Sequence, residues 1–166
     1  MVKKVVLTLM CCLFATGAYA ATSPFQMSLT PDIAIQPKTT QINGVTLNIW
    51  GENPQRAFAL GFVNGSNGYS SGVSLGLLAN YAENYKGAQL AFLTNFASER
   101  VTGLQWAAFN YAQELNGLQL GLINYAETSQ KGLQVGLINI MRQTTTWFRH
   151  FPNEVAPAMV FVNWRF

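Results

Sequence analysis

Small or apolar residues run along most of this chain in blocks of about ten, and short polar links separate the blocks. The clearest pair is GLQLGLINYAETSQKGLQVGLINI, Gly117 to Ile140, in which one frame occurs twice: Gly-x-Gln, an apolar residue, Gly, two apolar residues, Asn. The frame recurs upstream with decay, in GLQWAAFNYA from Gly103, GAQLAFLTNFA from Gly87, GVSLGLLANYA from Gly72 and AFALGFVNGS from Ala57. GVTLNIW from Gly44 is a fainter copy, and the starts lie 13, 15, 15, 16, 14 and 15 residues apart. A fixed period of this kind marks one structural unit repeated.

Within a block the pattern alternates, so each block predicts a strand with two distinct faces. From Gly117, Leu118, Leu120 and Leu122 share one side, while Gln119, Gly121 and Ile123 share the other. The repeats from Gly103 and Gly132 divide the same way, with Gln105 and Gln134 on the small, amide-bearing side and Leu104, Trp106, Leu133 and Val135 on the greasy one. A soluble sandwich would put charge on its outer face, yet no Asp, Glu, Lys or Arg occupies a strand centre. Links such as ENYK, SERVT, QELN and ETSQK have hairpin-loop length.

These features predict an all-β fold: a small antiparallel, up-and-down transmembrane β-barrel of about eight strands. Large apolar side chains would meet lipid, and Gly, Ala, Ser and Gln would fill the crowded interior. Seven repeats plus a last strand give an even number, which puts both ends on the periplasmic side. Met141–Pro157, the longest interruption, then falls outside. The repeats from Gly72 and Gly87 carry one extra residue before Asn80 and Asn95, for which a β-bulge is expected. Tyr81, Phe96, Tyr111 and Tyr125 follow the frame Asn, where an interfacial aromatic girdle would sit. A parallel β-solenoid of 15-residue coils is the alternative; against it, the polar links offer no regular inward apolar residue.

The chain's start has the features of an export signal. Lys3 and Lys4 precede a short apolar run, Val5 to Thr16, and Ala18-Tyr19-Ala20 offers a small-x-small cleavage site. Residues 1–20 are therefore expected to be a cleaved signal peptide, 21–40 an irregular, proline-bearing arm, and 41–166 a single repeat-built β domain. Cleavage would remove both cysteines, Cys11 and Cys12, and with them any disulfide or thiolate site. It also leaves eight basic residues against seven acidic ones. That balance provides no basic stripe for nucleic acid. Charged residues are 10% of the chain against 49% hydrophobic, a composition that fits an exported outer-membrane protein of a Gram-negative bacterium.

Candidate chemistry is sparse. The single histidine, His150, lies four residues before Glu154 and close to Thr144 to Thr146, but nothing in the sequence fixes a nucleophile beside a base. No metal cluster, phosphate-binding loop or cofactor motif is present in the sequence, and no enzymatic activity is expected. The residues singled out are structural. They are the repeat glycines Gly72, Gly87, Gly103, Gly117 and Gly132, the glutamines Gln89, Gln105, Gln119 and Gln134, and the asparagines Asn80, Asn95, Asn110, Asn124 and Asn139. The amides are expected to form hydrogen-bond ladders in the wall.

Three resemblances add to this reading. The GLQLGLINYA frame resembles bacterial glycine-rich surface-repeat proteins over Gly44 to Ile140, which implies an envelope or surface location and brings no established activity. Gln119-x-Gly121-x-x-Asn124-x-Ala126-x-x-x-Gln130 is similar to the curlin repeat, whose stacked strand–turn–strand units build extracellular fibres; here the period is shorter, and Leu, Val, Trp and Phe fill the alternate positions. The ending AMVFVNWRF, with Val160, Val162, Trp164 and Phe166, resembles the C-terminal assembly signal of bacterial outer-membrane barrels. The expected function is a structural, permeability or surface-interaction role, or alternatively that of a secreted solenoid or fibre-forming protein. The expected partners are outer-membrane lipid and the barrel-assembly machinery, with a surface partner at loop 141–157.

Overall fold

The computed structural model describes residues 21–166, so the expected signal peptide lies outside the described residues. Among these, regular structure is entirely β: β1 Thr22–Thr30, β2 Ile33–Ala34, β3 Gln41–Glu52, β4 Arg56–Ala91, β5 Thr94–Trp106, β6 Phe109–Leu120, β7 Ile123–Met141 and β8 Ala158–Arg165. They form one sheet in the order β2-β1-β3-β4-β5-β6-β7-β8. Every pairing from β1 through β7 is parallel, apart from the short β1–β2 contact. Only the two ends of the sheet, β2 on β1 and β8 on β7, pair antiparallel.

Consecutive parallel strands need a return path, and this chain supplies it by bending. The chain runs along Gly103–Trp106, turns tightly through Ala107–Ala108, and returns along Phe109–Ala112. It then rounds a polar corner to Gly117, where the next coil begins directly above Gly103. The fold is thus a β-solenoid whose coil is the sequence repeat. The expected antiparallel barrel is not formed, and the even-strand argument for its orientation falls with it. Stacking is like on like: Asn95 pairs with Asn110, Gly103 with Gly117 and Gln105 with Gln119, and the next coil repeats this with Asn124, Gly132 and Gln134.

The physical reason is the buried amides. In parallel register each Asn or Gln meets its own copy one coil away, whereas antiparallel hairpins would set each amide against a different residue. Burying an amide without partners costs about 1–3 kcal/mol, so the register that pairs successive Asn and Gln side chains with one another favours this topology.

The links are corners rather than hairpin loops, and they do contribute inward residues. Tyr85, Val101 and Leu115 are buried there, with Ser70 and Ser129 at equivalent corners. Ala97, Val101, Ala112, Leu115, Ala126 and Met141 form the apolar part of the core. Variation in repeat length is absorbed locally. Register shifts fall at the corners, between Ala82 and Tyr85, Ala97 and Arg100, and Leu115 and Asn116. The extra residue of the Gly87 repeat lies in the tight turn, where three residues separate Leu90 from Thr94 against two between Trp106 and Phe109. It lengthens a turn and does not bulge a strand.

At Gly103 and Gly117 the first glycine of the frame occupies a position that a side chain would strain. Gly117 has φ +147°, and a Cβ there would lie 2.0 Å from the Gly103 carbonyl oxygen. Gly103 stands in the same relation to Gly87, at φ +132°.

At the N-terminal end, β1 forms the first rung against β3. At the other end the predicted assembly-signal residues lie in and just after β8. Trp164 pairs with Leu133 and Val162 with Val135, while Val160 and Phe166 are exposed.

Candidate functional site

The interior is one side chain thick and is built from amides. Asn80 shows why they tolerate burial: its Nδ2 donates to Leu90 O (2.8 Å) and to Asn95 Oδ1 (2.9 Å). Its Oδ1 accepts from Asn64 Nδ2 (3.1 Å) and Ser74 Oγ (2.8 Å). An amide has two donors and two acceptor sites, so Asn80 is fully used. The column continues through Asn95, Asn110, Asn124 and Asn139 with Nδ2-to-Oδ1 distances of 3.0, 2.9 and 2.8 Å.

The glutamine column runs the other way. Gln105 donates back to Gln89 (3.1 Å), Gln119 to Gln105 (2.8 Å) and Gln134 to Gln119 (2.7 Å). Each of these three donors also reaches a carbonyl on the facing strand of its coil, Tyr111 O, Tyr125 O and Ile140 O respectively. The glutamines therefore tie the two walls of the solenoid together. The expected ladders exist, inside a solenoid rather than in a barrel wall.

Sequence reasoning left out the ends of the asparagine column. Ser28 donates to Asn48 (2.5 Å) and Asn48 to Asn64 (3.1 Å). Asn48 and Asn64 belong to the quoted frames GVTLNIW and AFALGFVNGS, so the signal was present. Asn163, in β8, is fully buried and donates to Ala156 O (3.0 Å); no repeat marks it.

With the interior filled by ladders, the outer surface carries what can meet other molecules. It has two unlike edges. The corners carry the charge: Arg100 pairs with Glu114 (2.7 Å), Asn84 donates to Glu99, and Gly68 N donates to Glu83 (2.8 Å). Exposed pairs of this kind add little to stability; they keep the edge solvated. On one outer face Phe96, Tyr111 and Tyr125 stack at centroid distances of 4.8 and 5.5 Å. These are residues of the expected interfacial girdle; in the solenoid they form instead a ladder, one ring per coil. Desolvation raises the Tyr111 hydroxyl pKa, helped by its hydrogen bond to Glu127. Tyr81 heads the column; burial pushes its hydroxyl up to about 12, and it donates to Glu52 (3.0 Å).

The opposite edge, formed by the tight turns, is apolar. A groove of about 640 Å³ runs along it, floored by Ala107, Ala108 and Gly121 and walled by Phe92, Trp106 and Leu122. No carboxylate, ammonium or guanidinium group lines it.

His150 is placed in the loop before β8, with Nδ1 2.6 Å from Glu154 Oε1. Glu154 also meets Arg165 and lies 3.5 Å from Thr144 Oγ1. The His150 hydrogen bond, with the Arg165 charge, holds the Glu154 carboxyl below its ordinary value. The cluster ties loop 141–157 to β8; it presents a base and an orienting acid without a nucleophile held against the imidazole. Among the described residues no group of three or more His, Cys, Asp or Glu side chains is arranged to hold a metal. Comparison with protein-family models, with curated proteins and with solved structures gives no match to this chain.

Proposed function

We propose that this chain is an exported, non-enzymatic β-solenoid of the bacterial envelope or cell surface with a structural or surface-interaction role. The observation that carries this is the division of its outer surface into a charged corner edge and a charge-free apolar turn edge around an amide-filled interior. A solid rod with two unlike edges works by what it adheres to. The export-signal pattern at residues 1–20 supports the location. The barrel-assembly machinery is no longer a partner to expect, because there is no barrel to assemble.

The ends favour a discrete rod over a curli-like fibre. At one end β2 crosses β1 antiparallel, and the arm carries Pro24, Pro31 and Pro37. At the other, β8 reverses the strand direction, and loop 141–157 covers part of its outer edge through Val155 N to Trp164 O (3.3 Å) and Phe166 N to Asn153 O (2.8 Å). A reversed terminal strand blocks continuation of a parallel stack, as capping elements do in repeat proteins.

Fractionation of cells expressing the chain, with mass spectrometry of its N-terminus, tests the proposal. A product lacking about 20 residues, recovered with the envelope, is expected; an uncleaved chain in the cytoplasm refutes it.

A further inference from the structure

Tight turns usually carry Gly, Asn, Asp, Pro or Ser, which suit the backbone and face water. Here Phe62, Leu77, Phe92, Leu122 and Leu137 occupy five of six successive turns, Ala107–Ala108 forming the other, and are 47–75% exposed. Segments 57–82, 87–98, 103–113, 117–126 and 132–141, which contain these turns and the strands beside them, hold no Asp, Glu, Lys or Arg. All the charge of these coils is at the opposite edge.

We propose that the turn edge docks into the hydrocarbon boundary of a lipid bilayer, with the solenoid axis lying along the membrane surface. This rests on the envelope location proposed above. Two observations select lipid over a second copy of the chain. First, the backbone at this edge is satisfied from coil to coil: Leu93 N donates to Leu78 O (3.0 Å), Ala108 N to Phe92 O (3.2 Å), Leu122 N to Ala108 O (2.9 Å) and Ile138 N to Leu122 O (2.9 Å). Turns normally owe their exposed amides to water; these turns form a ladder of their own and can enter a medium that offers no hydrogen bonds. Second, the apolar surface, with its groove over Ala107 and Ala108, extends from the tips onto both outer faces, with Leu60 and Trp106 on one flank and Phe109 and Ile138 on the other. A rigid second copy covers the tips or one flank, whereas fluid hydrocarbon covers all three. Side chains at the tips reach the depth of about 5–10 Å typical of interfacial elements. The coil spacing of about 4.8 Å makes the five tips a line some 20–25 Å long.

Flotation of the processed chain, purified from the envelope, with phosphatidylcholine vesicles tests this. The wild-type chain floats with the vesicles at low and at high salt, because no charge takes part in the contact. Phe92→Ser, Leu122→Ser and Leu137→Ser combined lower the floated fraction at least tenfold with unchanged far-UV circular dichroism, and Glu99→Gln leaves it unaltered. As a measurement independent of that variant, brominated phosphatidylcholine quenches emission from Trp106, a component missing from Trp106→Phe. A folded wild-type chain that stays with the aqueous fraction overturns the proposal, and so does release by salt. A stable dimer that the triple variant dissociates, with no vesicle binding, replaces lipid by a second copy. None of these failures touches the envelope location, which fractionation alone decides.

Discussion

Replacing Asn110 by Ala removes one rung from the asparagine column, and the structure fixes what is lost. Asn110 donates to Leu120 O (2.8 Å) and to Asn124 Oδ1 (2.9 Å), and accepts from Asn95 Nδ2 (3.0 Å). Asn95 keeps a bond to Gln89 O (3.0 Å), and Leu120 O keeps its bond from Ala107 N (3.1 Å). Asn124 Oδ1 has no other donor described and becomes a buried orphan. The Asn110 Nδ2 group, which also shares a longer bond with Ala107 O (3.3 Å), and its Oδ1 together lose the equivalent of three full bonds at about 1 kcal/mol each; with about 1–3 kcal/mol for the orphaned oxygen the loss is about 4–6 kcal/mol. That is a large share of the 5–15 kcal/mol by which most domains are stable. Asn110→Asp keeps the shape and tests the electrostatics. A carboxylate there would face Leu120 O and Asn124 Oδ1, both acceptors, so its folded pKa is raised above the unfolded value. This variant is therefore most stable below about pH 4 and loses stability as pH rises through the raised folded pKa. Urea unfolding followed by far-UV circular dichroism across pH measures both variants. If Asn110→Ala falls within about 0.5 kcal/mol of wild type, or Asn110→Asp is insensitive to pH, the buried ladder does not hold the coils together.

Gly117→Ala meets the Gly103 carbonyl at 2.0 Å at a positive φ and is expected to cost about 2–4 kcal/mol in the same unfolding assay. Ala57, at φ +123°, fills the corresponding glycine position with a strained residue; Ala57→Gly is expected to stabilise by about 1 kcal/mol, raising the thermal midpoint. The lowered Glu154 pKa means that its contribution is present above its ordinary 4.5 and lost as pH falls through the folded value. Hydrogen exchange at about pH 6 and about pH 3 should then show protection falling in Ala158–Arg165 before it falls in Phe109–Leu120.

Much of this was legible in the sequence, and the error in topology has a physical source. Alternation assigned the faces correctly as far as each tight turn: Gln105, Gln119 and Gln134 are buried, and Trp106 and Leu122 are exposed. Beyond the turn it fails, since Asn124 has the parity of Leu118 and Leu122 yet is fully buried, and Ile138 has that of Gln134 yet is exposed. A period of two reports only which side a residue faces, so it reads the same in a barrel wall and in a solenoid. The deciding column was the corner, where the inward residue is Ser70, Tyr85, Val101, Leu115 and Ser129 in turn. Because that site accepts a serine as readily as a leucine, no hydrophobic pattern marks it, and the corners read as polar loops. The identity of successive repeats was the better guide, since only parallel register sets each buried Gln and Asn against its own copy.

The central claim is that adjacent repeats run parallel and in register. Spin labels at Thr102→Cys and Asn116→Cys, in a chain with Cys11 and Cys12 replaced by serine, test it directly, since the two positions are register partners. The solenoid places their backbones about 5 Å apart, and strong dipolar broadening is expected. An antiparallel hairpin would put the two positions at opposite ends of a strand, about 30 Å apart, and a spectrum without broadening would contradict the solenoid.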